Sequence, residues 1–575
     1  MILGRITEVN GIKVVGTFYE KLPPHIIKGG IHLPAPQINS YVKTNVGLDV
    51  IICQIVGEHE FESNNQARQP ESESFQVDLE VRGRISNGQF KGGLRCLPIV
   101  GARIELMEKE DYAVLYGTKG GLCIGVNLFD VNTEVYLDPN KLIPSHIGIF
   151  GNTGSGKSNT LSKILKEYLT IIINKKITNG RVILFDLNNE YGGSSIIDSS
   201  MKRIYQLSTR KQSENIDYLN KMPLCLDSFT EDTWGVLLRA TQKTQMPIIR
   251  SAYRKWKNPK PKEAIEQIKW ILVNKRKQIF FTLRHYLQDY FTMIDKIDFN
   301  SKFNSFCYYT DNKTKYIDTY EDCPPIEMKE PCDEFIRFII CLYMEIAKSN
   351  ESGTNYDYIQ PLIPRAVNLV ADFNKIFNIS SKGNIEDIFD DKPFTIIQLG
   401  NVNSNMREVI PSLLSDLLFK KASEDRGDSK PSKITSIVVD EAHNLLSYNP
   451  NSEDVIHGNT LQVFEKIIKE GRKYGLFLYL SSQRPSDISE TITSQIHNYF
   501  IHRLVNPRDI EKIRKTVSFM GDGSLSILSS LGQGECIVSG PSLYMPQYVY
   551  VTELCDSEKP NSADIILFGK DGIFE

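Results

Sequence analysis

The residues Gly151-Asn152-Thr153-Gly154-Ser155-Gly156-Lys157-Ser158 follow the apolar run Ile147-Gly148-Ile149-Phe150 and lead directly into a helical pattern. That order prescribes a buried strand, a tight glycine-rich turn and a helix. Small residues in such a turn let backbone N–H groups curl around phosphate oxygens, while the helix presents its positive N-terminal end to the same anion. Lys157 is then placed to reach β and γ phosphates and the Ser158 hydroxyl to ligate Mg²⁺, with Asn159 beside them in the first turn. A chance glycine-rich turn would have no reason to carry strand, helix and the partner motifs below. The chain is expected to bind a nucleoside triphosphate, with ATP and Mg²⁺ as its cofactors.

At 575 residues the chain is too long for one core, and length alone suggests roughly three or four domains. A formal net charge of −3 excludes a global positive field that would draw it to nucleic acid or an anionic membrane, so any polyanion contact must be local. The 10 cysteines are spread singly from Cys53 to Cys555 without a C-x-x-C, and the 9 histidines do not join them at metal-ligand spacing. Reduced thiols in a cytoplasmic protein are the expectation. The N-terminus lacks the basic-then-apolar layout of an export signal, and the longest apolar stretch, around Phe338 to Met344, is too short to span a membrane and reads as a buried helix.

Residues 1–143 read as short strands. Val77, Leu79 and Val81 alternate with Gln76, Asp78 and Glu80, and Asn87-Gly88 offers a tight hairpin turn, so a small β-barrel is expected. From 144 to 199 strands alternate with helices, the texture of an α/β fold with a mainly parallel sheet covered on both faces. Leu161, Ile164, Leu165, Tyr168, Leu169 and Ile172 mark one helix face, and Val182 to Phe185 form a strand that delivers Asp186. Residues 200–390 read as a charged, aromatic-rich helical insertion. Its basic runs Arg254-Lys255-Trp256-Lys257 and Lys275-Arg276-Lys277 are compatible with DNA contact, although a solvated helix face is the simpler account. The sheet resumes over 391–505, with strands at Phe394–Leu399, Ile434–Val439 and Leu476–Leu480, and 506–575 read as closing strands and a polar tail.

A triphosphatase needs a carboxylate centre, and Ile437-Val438-Val439-Asp440-Glu441 supplies one at the end of an apolar strand. Asp440 is expected to hold the Mg²⁺ shell and Glu441 to act as general base on the attacking water. Arg472, within Glu470-Gly471-Arg472-Lys473-Tyr474-Gly475, is a candidate finger into a neighbouring copy's site, against the alternative of an ordinary surface arginine. The amide of Gln483 in Ser481-Ser482-Gln483-Arg484-Pro485 is positioned to sense the γ-phosphate, against a simple strand-ending turn.

Together these segments resemble the HerA branch of the FtsK–HerA superfamily of ring ATPases. The likeness rests on Ser145 to Phe150 running into the loop, Phe185-Asp186 with Glu190-Tyr191, Val439-Asp440-Glu441-Ala442-His443, Glu470 to Gly475, Ser482 to Pro485 and Gly532 to Gly540. It implies a RecA-like core in which the Gln483 strand lies between the loop strand and the Asp440 strand, and an N-terminal HAS-barrel. It also implies a homo-hexamer with double-stranded DNA through a central pore. The resemblance gives Asp186 and Glu190 a supporting role at the water or metal shell. A nuclease or a sirtuin-like NAD hydrolase docking on the barrel is the implied effector, in anti-phage defence, with an assembly scaffold or a DNA-end-processing helicase as alternatives. Archaeal members often carry an arginine where Ser145 stands, which shifts the finger role toward Arg472 or Arg484. The polar loop from His443 to Gly458, with Tyr448, Asn449, Asn451 and His457, is the candidate pore contact.

Overall fold

The computed structural model describes residues 1–561 except 24, 29–30, 62–73, 94, 118–119, 130–132, 211–220, 242, 259–260, 311–312, 328–333, 350–355, 381–382, 427–429, 448–454 and 518–521. Tyr448, Asn449 and Asn451 of the candidate pore loop therefore lie outside the described residues, and His457 is described only as backbone within the helix Val455–Glu470.

The N-terminal strands close on themselves. Lys13–Phe18, Ile2–Asn10, Arg103–Leu106, Tyr41–Val46, Asp49–Phe61 and Ser74–Ser86 pair in that order, and Lys13–Phe18 also pairs with Ser74–Ser86 to complete a barrel. Closure removes the unpaired edges that an open sheet of this size would expose. The alternation read at Val77, Leu79 and Val81 puts these three inside, packed with Leu3, Ile6, Val14, Ile55 and Ile104. Asn87 and Gly88 both take positive φ (52° and 72°), the turn that matches the twist of the hairpin Ser74–Ser86 to Gln89–Gly92.

The second body is an 11-stranded sheet. Its parallel part runs in the order Asn498–Ile501, Ile147–Phe150, Leu476–Ser482, Ile434–Val439, Gly180–Asp186, Phe394–Asn401 and Lys202–Ser208. Helices cover both faces, which is why these strands are continuous apolar runs rather than alternating ones. The strand leading to Gln483 lies between the loop strand and the Asp440 strand, as the resemblance implies. Register then aligns the ends: Phe150 pairs with Ser482, Val439 with Leu480, Phe185 with Val439 and Asp186 with Gln398. Gly151, Gln483, Asp440 and Asp186 consequently emerge at one edge, the C-terminal edge where open α/β sheets carry their sites.

The antiparallel flank of this sheet differs from the sequence pattern. Leu122–Asn127 and Glu134–Leu137 alternate like barrel strands, yet they extend the core sheet by pairing through Gln547–Val551 and Glu535–Ser539 near the far end of the chain. Lys202–Ser208, which the helical texture absorbed, is the opposite edge strand. Between it and Phe394–Asn401 lies the insertion, built on helices Met246–Lys257 and Glu334–Ser349 with Trp234 stacked on Phe338 at 3.6 Å. Phe338 to Met344 is a buried helix segment, and among the described residues no helix is long and apolar enough to cross a membrane. The basic runs are engaged locally: Lys255 pairs with Glu345, Lys257 lies 4.5 Å over the Trp256 ring, Lys275 pairs with Asp318 at 3.2 Å and Lys277 sits over Phe299.

Candidate nucleotide site

The loop Gly151–Gly156 turns because Gly154 and Gly156 adopt φ of +72° and +104°, a region that side chains with a Cβ rarely enter. A Cβ at Gly156 would also lie 2.9 Å from the backbone nitrogen of Gly534, whose N–H donates to the Ser155 carbonyl at 3.0 Å. The Asn152 carbonyl gathers the rest of the loop, accepting from Ser155 N, Ser155 Oγ (2.7 Å) and Lys157 Nζ (2.9 Å). Lys157 is 6 % exposed. Burial lowers its pKa, and the nearby carboxylates of Glu441, Asp440 and Glu190 draw it back up. The helix Lys157–Asn174 then buries Leu161, Ile164, Leu165, Tyr168, Leu169 and Ile172, the face read from the sequence.

Asp440 directly follows the strand Ile434–Val439 and is 5 % exposed, with Oδ1 accepting from Glu441 N at 3.0 Å and Oδ2 from the Tyr191 hydroxyl at 2.9 Å. Glu441 takes φ +49°, a left-handed conformation that costs a non-glycine residue about 1–2 kcal/mol. The kink turns Glu441 away from the direction of Asp440. Its carboxylate accepts from Gln483 Nε2 on one oxygen and lies 3.4 Å from His443 Nδ1 on the other. The same Gln483 amide accepts from the Thr153 hydroxyl at 2.5 Å. One side chain therefore ties the phosphate loop to the acidic pair.

A family model described as the central domain of helicase HerA matches residues 122–418, over half of the chain. The chain belongs to the HerA helicase family. It is accordingly a nucleotide-binding P-loop ATPase of helicase type, and a second model, the HerA-like C-terminal domain, matches residues 409–556. A protein of Methanocaldococcus jannaschii named probable DNA double-strand break repair helicase HerA is 26% identical over 497 residues, covering 83% of this chain and 85% of that one. The DNA double-strand break repair helicase HerA of Sulfurisphaera tokodaii is 24% identical over 461 residues, covering 79% of this chain and 73% of that one. Among solved structures, VirB4 of Thermoanaerobacter pseudethanolicus matches with a TM-score of 0.43 at 14% identity, over 76% of this chain and 98% of that chain.

Around this HerA site the remaining sequence candidates fall in different places. Asn159 turns to the closing segment, its amide accepting from Leu554 N at 3.3 Å and donating to the Thr552 carbonyl at 3.4 Å. Asp186 accepts from the backbone N–H groups of Glu190 and Tyr191, both at 3.0 Å, and from Gln398 Nε2 at 3.3 Å. Burial raises the pKa of Asp186, and burial together with the Asp440 charge raises that of Glu190. Arg472 is exposed in the turn Gly471–Tyr474, which precedes Leu476–Ser482 and so lies at the opposite edge of the sheet from its own loop. There it lines a recess of about 420 Å³ that also contains Ser145, Lys141 and His497. Arg484 follows Gln483, with a side chain 69% exposed and 3.8 Å from Asp487.

Two side chains of the HerA site, Gln398 and His502, carried no sequence signal of their own, and Tyr191 stood in the sequence only as part of the Glu190-Tyr191 segment that carries the resemblance, without an assigned role. His502 is fully buried beneath the loop, linking Thr160 Oγ1 (2.9 Å from Nε2) to the Glu535 carbonyl (2.9 Å from Nδ1). Nδ1 therefore carries the proton, and Nε2 accepts from the threonine. Burial pushes the His502 pKa down to about 4 and that of His146, whose Nδ1 accepts from Leu478 N, to about 3. Both are neutral when folded and regain their ordinary value of 6.5 on unfolding. Between 6.5 and about 4 the unfolded chain then binds more protons, so stability present above 6.5 is lost as pH falls, by up to about 1.4 kcal/mol per pH unit for each histidine. Denaturation midpoints measured from pH 7 to about pH 4.5 are expected to fall less steeply for His502→Gln than for the wild type. Parallel curves would refute the buried neutral state.

Proposed function

We propose that the chain is an ATP-hydrolysing motor that moves along double-stranded DNA as a homo-hexamer, with each site completed at a subunit boundary. The observation that carries this reading is the Thr153–Gln483–Glu441 linkage, which couples the phosphate loop to the base. In this mechanism Lys157 and the loop N–H groups hold the triphosphate, and Glu441 accepts the proton of the attacking water. Gln483 contacts both the loop and Glu441, so loss of the γ-phosphate reaches the strand Leu476–Ser482 through it. At that strand's other end stands the exposed Arg472, which in this reading reaches a neighbouring copy.

Mg²⁺ fits the residues present. Among the described residues no group of three or more His, Cys, Asp or Glu converges on a metal position, which suits an ion held by one or two protein oxygens plus substrate phosphates and water. Ser158 and Asp440 would hold it, Asp440 retaining a free lone pair on each oxygen. When bound, the ion neutralises charge on the β and γ phosphates.

The closed barrel, resembling a HAS-barrel, is the proposed docking surface for an effector that cuts DNA or consumes NAD. The relatives named as DNA double-strand break repair helicases favour a repair setting over phage defence. The test is ATP turnover with and without duplex DNA, run beside displacement of a third strand from a triplex. Duplex-stimulated turnover with displacement is expected. Turnover without displacement would replace the motor by an ATP-dependent assembly scaffold.

A further inference from the structure

We propose that Tyr191 is a positioning residue for Asp440, the last link of a chain of hydrogen bonds running Gln398–Asp186–Tyr191–Asp440 across three adjacent strands. The proposal rests on the reading of Asp440 as a Mg²⁺ ligand. Its members come from separate parts of the sequence. Gln398 and Asp186 are paired in register on neighbouring strands, and Asp440 follows the strand on the other side of Asp186.

Each link leaves its neighbour little freedom. Gln398 Nε2 donates to Asp186 Oδ2 at 3.3 Å, and that same oxygen accepts from Tyr191 N at 3.0 Å while Oδ1 accepts from Glu190 N at 3.0 Å. With both oxygens engaged by the turn that follows it, Asp186 serves to fix the backbone of residues 190 and 191. Tyr191, 0 % exposed, has its ring held by the core and its hydroxyl aimed at Asp440 Oδ2, 2.9 Å away. Since Glu441 N already binds Oδ1, the tyrosine supplies the second point that a carboxylate needs to stop rotating about its Cβ–Cγ bond. Partners of this kind hold a metal-binding carboxylate in one orientation. Asp186 thus acts on Asp440 at a distance, through the tyrosine.

Tyr191→Phe in the full chain preserves the ring and removes only the hydroxyl. The primary measurement is binding of Mn²⁺, read by its paramagnetic resonance, to protein carrying a non-hydrolysable ATP analogue. Removal of the hydroxyl is expected to weaken Mn²⁺ about ten-fold, to raise the Mg²⁺ concentration for half-maximal ATPase by a similar factor, and to leave binding of a fluorescent ATP analogue in EDTA unchanged. Asp186→Asn, which loses one acceptor for the Glu190–Tyr191 turn, is expected to shift Mn²⁺ binding in the same direction and supplies the comparison if the phenylalanine variant unfolds. Unchanged Mn²⁺ affinity in the folded variants overturns the proposal. So does an equal loss of analogue binding with and without metal, which would mark a general pocket defect. A wild-type chain that binds no analogue either in EDTA or with the metal present overturns the nucleotide reading itself, at a step the variants do not enter.

Discussion

Glu441→Gln is expected to retain ATP affinity and to lose turnover by about 10²- to 10⁴-fold, the contribution of a positioned general base. The substitution is nearly isosteric, and a glutamine at 441 can still accept the hydrogen bond that Gln483 Nε2 now gives to the carboxylate. The left-handed turn at this position and the short helix His443–Leu446 after it depend on backbone geometry, so the variant should keep its fold and its link to Thr153. What it lacks is a group able to take a proton from water. Lys157→Ala separates binding from chemistry: it removes the buried cation that contacts the Asn152 carbonyl and is expected to lower nucleotide affinity itself. Equilibrium binding of a fluorescent ATP analogue and single-turnover phosphate release distinguish the two. Wild-type hydrolysis by Glu441→Gln would remove Glu441 from the role of base.

The parts of this site that could be read in advance are contiguous in sequence. Gly151 to Ser158 and the strand before them announce their backbone geometry, because positive φ at Gly154 and Gly156 requires glycine and the buried helix face repeats every three to four residues. Asp440 and Glu441 were legible for a similar reason, standing at the end of a run buried on both sides. The contacts that make these pieces one site are not local. Thr153 meets Gln483 across 330 positions, Tyr191 meets Asp440 across 249 and Thr160 meets His502 across 342. Nothing in the composition of either partner fixes such a pairing; strand order does. The same limit explains Leu122–Asn127, whose alternation fits a barrel equally well until its partner Gln547–Val551 is known. Asn159 illustrates the converse. Its place in the first turn of the helix suggests the nucleotide, but its amide is turned to a segment nearly 400 residues away, at Thr552 and Leu554.

Arg472→Ala is expected to leave ATP binding and assembly intact and to reduce turnover by about 10³- to 10⁵-fold, the range of a finger that stabilises charge on the transferred phosphoryl group. Within one chain this residue has no route to its own loop. The 7-residue strand Leu476–Ser482 stands between Arg472 and Gln483, and at about 3.3 Å per residue it spans roughly 23 Å, beyond the reach of a side chain. Direct contact with a transferred phosphoryl group is therefore open to Arg472 only in another copy's site. The recess it shares with Ser145 holds one arginine, Arg472, beside Lys141, Lys430 and His497. Its exposure means that truncation should cost little stability. Mixing decides the matter. A boundary formed by an Arg472→Ala subunit, which keeps its own Glu441, and a Glu441→Gln subunit, which keeps its Arg472, contains one complete set of groups. Equimolar mixtures of the two inactive variants should recover part of the wild-type rate in proportion to the hybrid boundaries formed. Mixed assemblies of normal size with no recovery would exclude Arg472 as the trans-acting group and direct the same experiment to Arg484, which lies on the loop side of the strand and is exposed.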